Sequence, residues 1–248
     1  MNWSALIAFL LVVGSAGLLL GFAILKRKTP PSFREIPAFI RLRQAIGRAV
    51  EDGSRLHFSL GRGDLISPQG AAGLAGLSAL RRLADLTSTS DRTPIATSGE
   101  PSLTVLSQDV MQASFQEATG GSHFDASGAR LTGLTPFSYA SGALPTLRDE
   151  HISANILLGS FGVEAGLLAD AAERQNSYLL AASDNLLGQA VLYASAQEPL
   201  IGEELYAVSE YVNHSPLHAA SLKVQDILRY VLIITMLLGA LLKLAGLL

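Results

Sequence analysis

Four short stretches gather the residue types that bind or transform small polar molecules: Gly61-Arg62-Gly63-Asp64, Thr97-Ser98-Gly99-Glu100, Gly159-Ser160-Phe161-Gly162 and Ser183-Asp184-Asn185. An arginine can clamp an anion through its planar fork of donors, and a carboxylate can act as a general base. Backbone amides at a helix start can hold an anionic group. The candidate ligand-binding residues are therefore Arg62, Gly63, Asp64, Ser98, Gly99, Glu100, Ser160, Ser183, Asp184 and Asn185. The same residue types also turn short loops and cap helices. Ser98, Asp184 and Asn185 thus have a structural role open to them as well, and no residue is assigned to catalysis.

Other constellations carry less. Gly61-Arg62-Gly63 begins like a dinucleotide fingerprint, but Ile66 stands where the third glycine belongs. No phosphate-loop motif and no nucleophile elbow occurs. His214 and His218 have the spacing of two metal ligands on a helix, yet Pro216 lies between them and no third ligand is near, so no metal is expected. Asp149, Glu150 and His151 are adjacent and cannot share one helix or strand face. They read as a charged helix end. His57 falls inside an apolar run and reads as a buried, hydrogen-bonded histidine, and His123 lies in a loop. The chain has no cysteine, which excludes disulfides, thiolate zinc sites, iron–sulfur clusters and cysteine nucleophiles. Net charge is −3, so no basic surface argues for nucleic acid. No cofactor is named by any motif.

The elements that must position these loops repeat a simple cadence. Residues 37–52 have helical spacing of apolar positions. Short apolar runs at 55–60, 94–99, 154–159 and 178–182 read as strands, each followed by a polar loop and then a helix, at about 68–86, 103–118, 163–175 and 186–195. A further strand is expected at 129–135 and a short helix at 139–147. Residues 199–203 interrupt a helical pattern, and 216–226 read as a helix running towards the C-terminal apolar segment. Short buried strands alternating with helices predict an α/β fold: a mostly parallel, Rossmann-like sheet with helices on both faces. In such sheets ligands sit beyond the carboxyl ends of the strands, where the four polar stretches fall.

Both ends of the chain are apolar. Residues 4–25 carry no charge and as a helix would span about 33 Å, enough for a hydrocarbon core of roughly 30 Å. Lys26, Arg27 and Lys28 follow this run instead of preceding it, the reverse of a secretory signal. Residues 227–248 form a second apolar segment with Arg229 and Lys243 near its edges. The expected organisation is a transmembrane helix at 4–25, an α/β domain at 33–222 and a transmembrane helix at 227–248. Lys26, Arg27, Lys28, Arg34, Lys223 and Arg229 lie between the spans, which predicts a two-pass plasma-membrane protein with its domain in the cytoplasm. Pro30 and Pro31 stop helix continuation beyond the first span. The expected partner is the bilayer itself. Gly17 and Gly21 form a G-x-x-x-G, so the first span can pack on the second or on another copy.

Three stretches, FREIPAFIRLRQAIGRAVEDGSRLHFSLGRG, LTGLTPFSYASGALPTLRDEHISANILLGSFGVEAGLLADAAERQ and LAASDNLLGQAVLYASAQEPLIGEEL, resemble a bacterial membrane-anchored family of unknown function. The likeness covers most of residues 33–226 and both apolar ends. It implies location and architecture and carries over no catalytic residue. Two functional expectations follow: a membrane-anchored binding, scaffold or sensor module without enzymatic activity, or an enzyme acting on a phosphorylated or anionic small molecule.

Overall fold

Runs of branched apolar residues bounded by Gly, Ser and Asn become strands, and the Ala/Leu-rich runs between them become helices. The computed structural model describes residues 3–25, 34–88, 90, 92–121, 124–212 and 215–246. Lys26, Arg27, Lys28, Pro30, Pro31, His123 and His214 lie outside the described residues. In chain order the elements are α1 (Trp3–Leu25), α2 (Pro37–Glu51), β1 (Arg55–Gly61), α3 (Gly70–Thr87), β2 (Ile95–Ser98), α4 (Pro101–Thr119), β3 (Ala129–Leu131), α5 (Pro136–Asp149), β4 (Ile152–Ser160), α6 (Ala165–Arg174), β5 (Tyr178–Ser183), α7 (Leu186–Ser195), β6 (Glu198–Leu200), α8 (Glu204–Val212) and α9 (Pro216–Leu244). The chain divides into two compact units, one holding α1 and α9 and the other covering Ile36–Asn213.

In the first unit, α1 and α9 are each long and apolar enough to cross a membrane. They lie against each other, and the helix expected at 216–226 runs on into the second apolar segment as one continuous helix, Pro216–Leu244. Gly14, Gly17 and Gly21 do not make this contact: a Cβ on any of them would meet nothing within 4 Å.

In the second unit all six strands are parallel, in the order β3-β2-β1-β4-β5-β6. This is the Rossmann-like sheet. Leu56, Phe58, Leu60, Ile156, Leu158 and Leu180 face a core shared with α2, α3, α4 and α8. Leu157, Leu179 and Ala181 face a second core shared with α5, α6 and α7. Period-two alternation therefore sends both side-chain sets into apolar layers, as a fully covered parallel sheet requires. Gly76 lets α3 touch the sheet directly, since a Cβ there would lie 2.4 Å from the Leu158 carbonyl oxygen.

Element ends differ from the expected ones for local reasons. Helix α5 begins at Pro136, because Thr135 and Ser138 form a reciprocal capping box, and β3 stops at Leu131. Strand β6 was not expected. Its three residues include Pro199, which reads as a helix breaker, but an edge strand tolerates a missing amide.

One polar chain runs through the second core. The Ser177 hydroxyl donates to the Ala172 carbonyl (3.0 Å), so it must accept from Asn155 Nδ2 (2.7 Å). Asn155 Oδ1 then accepts from His57 Nδ1 (2.9 Å), and His57 Nε2 accepts from the Thr97 hydroxyl (2.8 Å). Tyr139 continues the chain through Thr97 and Ser59. His57 is fully buried, as its place in the strand implied. Burial lowers its pKa to about 4, against an opposing hydrogen bond from Asn155. A neutral histidine in the fold and an ordinary one in the unfolded chain give a sign: the unfolded state binds the extra proton. This contribution, worth about 3 kcal/mol, is complete above pH 6.5 and is lost as pH falls towards 4. Chemical denaturation of the full chain across that window should show the loss, and His57→Gln should flatten it. Equal pH slopes for the two proteins would refute the assignment.

Candidate functional site

The strand order places β1 and β4 side by side at the centre, where the chain reverses its direction of travel across the sheet. Ligand crevices form beyond the carboxyl ends of strands at such a point. Here the ladder is irregular. Ser59 pairs with Leu157 but Gly61 pairs with Ser160, so β4 carries one extra residue. The irregularity is held by two glycines. Gly61 has φ +68°, and a Cβ on it would lie 2.3 Å from the Ser160 carbonyl oxygen. A Cβ on Gly159 would lie 2.0 Å from the Leu60 carbonyl oxygen. The loops are then tied together: Arg62 N–H donates to Ser160 O (3.0 Å), Gly99 N–H to Gly61 O (2.9 Å) and Asp184 N–H to Gly159 O (3.3 Å).

Arg62 extends from this knot. Its stem lies over Gly99, where a Cβ would sit 2.3 Å from Arg62 Cγ. Its Nη1 donates to the Leu134 carbonyl (3.0 Å). Its Nε is shielded from solvent and has no hydrogen-bond acceptor; Glu164 Oε1 is 3.9 Å away. Glu164 is 2% exposed and accepts from Gly162 N–H (2.9 Å). Arg62, Asp64, Phe137, Ser160, Val163 and Leu187 are among the residues around a cleft of about 540 Å³. Its wall is apolar on the outside: Phe137, Val163 and Leu187 are each about half exposed or more.

The remaining sequence-derived candidates divide. Ser160 hydrogen-bonds to Asp184, whose pKa is raised by burial against that bond. Asp184 Oδ1, also shielded, takes no donor. Gly63 packs on Ser160, and Asn185 lines the cleft beside Arg62 and Asp64. Asn185 also caps α7, accepting from Leu187 N–H (2.9 Å). Asp64 turns its own loop by accepting from Ile66 N–H (3.1 Å). Gly63, Ser98, Gly99, Glu100, Ser183 and Asp184 do not line the cleft. Ser98 is buried and bridges Glu100 and the Gly61 carbonyl. Glu100 caps α4 through Leu103 N–H (2.7 Å); burial raises its pKa, but the bonds from Ser102 and Leu103 prevail and the net shift is downward. Ser183 is buried against the Phe161 backbone. Glu150 pairs with Arg130 and Arg55 at the opposite edge, consistent with a charged helix end.

A family model spans nearly the whole chain, residues 1–247. The chain belongs to the family Domain of unknown function (DUF6754). No curated protein and no solved structure matches it. The two apolar terminal helices and the covered parallel sheet are thus features of a DUF6754 chain.

Two features of this DUF6754 cleft were not expected. Glu164 reads in sequence only as an acid near a helix start. Leu134, from the loop after β3, meets Arg62 through its carbonyl, and Phe137, from the first turn of α5, lines the cleft. A larger cleft, about 800 Å³, opens near Ser153, Asn176, Ser177 and Tyr178 at the amino ends of β4 and β5. It lacks the helix amino termini that favour ligands at the carboxyl edge. Among the described residues no cluster of three His, Asp or Glu could hold a metal.

The glycine knot predicts a contrast. Gly159→Ala should destabilise the chain by more than about 2 kcal/mol, because backbone must move to admit the methyl. Gly47→Ala, on an open face of α2 with nothing within 4 Å, should be neutral or stabilise by up to about 1 kcal/mol. Denaturation midpoints in one detergent compare them; equal midpoints would exclude a tight β1–β4 approach.

Proposed function

We propose that this DUF6754 chain is a membrane-anchored, non-enzymatic binding module whose carboxyl-edge cleft takes a single anionic group on an apolar body. The observation that supports it is Arg62 Nε, a shielded cationic donor without an acceptor at the mouth of a cleft with apolar walls. A single arginine among Glu164, Asp64 and Asp184 fits one carboxylate or phosphate monoester better than a polyphosphate. The loop serines Ser98 and Ser183 are spent on backbone contacts, and among the described residues no imidazole lines the cleft beside Ser160. The cations between the two spans favour a cytoplasmic domain and a two-pass plasma-membrane protein.

The Ser160–Asp184 hydrogen bond favours a second reading, an enzyme acting on an anionic small molecule, with Asp184 as base. One experiment separates them. The full chain in detergent is screened by thermal shift against short-chain fatty acids and alkyl phosphates, followed by mass analysis of each recovered compound. The binding module predicts stabilisation that Arg62→Ala removes, with every compound recovered unchanged. Conversion of a compound that Ser160→Ala stops would establish the enzyme instead. No stabilisation by any compound would reject both.

A further inference from the structure

Three ionisable side chains line the carboxyl-edge cleft: Arg62, Asp64 and Glu164. Glu164 is buried and lies 3.9 Å from Arg62 Nε, so it offsets the charge of the arginine. Asp64 is exposed and has no cationic partner among the described residues. The cleft therefore carries one carboxylate more than it has cations. A ligand that is only an anion would add a second unbalanced negative charge beside Asp64, and like charges across a contact oppose binding. A ligand with a cationic group of its own removes that conflict.

The helix starts around the cleft argue against phosphate as the anion. The helices α3, α5, α6 and α7 all begin there, and free amides at such starts are where phosphates bind. Here those amides are already bonded. Gly162 N–H donates to Glu164 Oε1 (2.9 Å), Leu187 N–H to Asn185 Oδ1 (2.9 Å) and Gly70 N–H to Ser67 O (2.9 Å). Ahead of α5, Thr135 N–H donates to Ser138 Oγ (3.0 Å), and Pro136 has no N–H. A phosphate would have to displace these bonds, whereas a carboxylate can be met by Arg62 Nε alone.

We infer that the ligand of this cleft is an apolar α-amino acid, with its carboxylate on Arg62, its ammonium on Asp64 and its side chain against Phe137, Val163 and Leu187. The inference rests on the reading of the cleft as an anion site and adds the cation to it. Arg62 and Asp64 leave one loop with only Gly63 between them, so their Cα atoms are at most about 7 Å apart. That spacing suits two charges carried on one carbon better than charges at opposite ends of a chain. The loop is held in place: a Cβ on Gly63 would lie 2.6 Å from the Gln69 carbonyl oxygen, and Ser67 N–H donates to Asp64 O (3.1 Å). Ile66 N–H donates to Asp64 Oδ1 (3.1 Å) and orients the carboxylate, which can accept further donors. The three apolar residues come from the starts of α5, α6 and α7, so the wall faces the same loop from the other side of the cleft.

The test compares ligands that share a carbon skeleton, by calorimetric titration of the full chain in detergent. One set is leucine, 4-methylpentanoate, which lacks the ammonium, and 3-methylbutylamine, which lacks the carboxylate. The other is phenylalanine, 3-phenylpropanoate and 2-phenylethylamine. At least one amino acid should bind about tenfold or more tighter than both of its relatives, the gain expected of a charged hydrogen bond. Asp64→Asn, which keeps an acceptor for Ile66 N–H, should bring that amino acid down to the level of its carboxylate relative and leave the relative unchanged. A carboxylate that binds as tightly as its amino acid and is lost in Arg62→Ala would overturn this inference while the anion site stands. An amine that binds as tightly as its amino acid, or no binding by any of the six, would overturn both. Amino-acid binding untouched by Asp64→Asn would remove the ammonium from Asp64 and overturn the inference as well.

Discussion

The close approach of β1 and β4 at their carboxyl ends is the constraint on which the rest of the domain depends. Two backbones meet there so tightly that neither Gly61 nor Gly159 has room for a methyl group. Because the ladder slips by one residue, Ser160 comes level with Gly61. The carbonyls of Gly61, Gly159 and Ser160 then tie the loops after β1, β2 and β5 into one piece. Without that slip, Arg62 would have no anchored loop to leave from, and Asp184 would not reach Ser160. A bulge beside a crevice re-aims side chains; here it aims an arginine over Gly99 and a serine at a carboxylate.

The sheet also solves a problem in polarity. A central strand of a parallel sheet is covered on both faces, yet β1 carries His57 and Ser59 on the face towards α5 and α6. An unpaired polar group buried there would cost on the order of 1–3 kcal/mol. The chain from Ser177 through Asn155, His57 and Thr97 to Tyr139 gives each member a partner with a consistent direction of donation. Burial raises the Tyr139 pKa to about 12, so the phenol stays protonated and can act as a donor. The chain pins the register of three strands and the start of α5, whose first turn supplies Phe137 to the cleft.

Much of this was legible in the sequence. The alternation of apolar runs and amphipathic helices specified a covered parallel sheet, and the polar residues after β1 and β4 marked the crevice. What the sequence left hidden has a physical reason in each case. Ser98 and Glu100 have the chemistry of a site, but their side chains point back to the backbone they cap. Ser183 alternates inward with the strand. Glu164 and Phe137 become neighbours of Arg62 only through the order of the strands, which no local pattern carries. Pro199 concealed β6 because a proline forbids a central strand but not an edge. The glycines of the first span match a packing motif, but within one chain a Cβ on Gly17 or Gly21 would meet nothing within 4 Å.

The two ends of the Ile36–Asn213 unit lie away from its cleft. The chain joins the domain at α2 and leaves it at α8, and both of these junctions lie at the amino edge of the sheet. The cleft is assembled from the loops at the other edge, held by backbone bonds that involve neither α2 nor the end of α8. Between these two edges lies the packed core of α2, α3 and α8. Interiors packed to crystal density deform little. The geometry of the cleft is thus set within the Ile36–Asn213 unit itself.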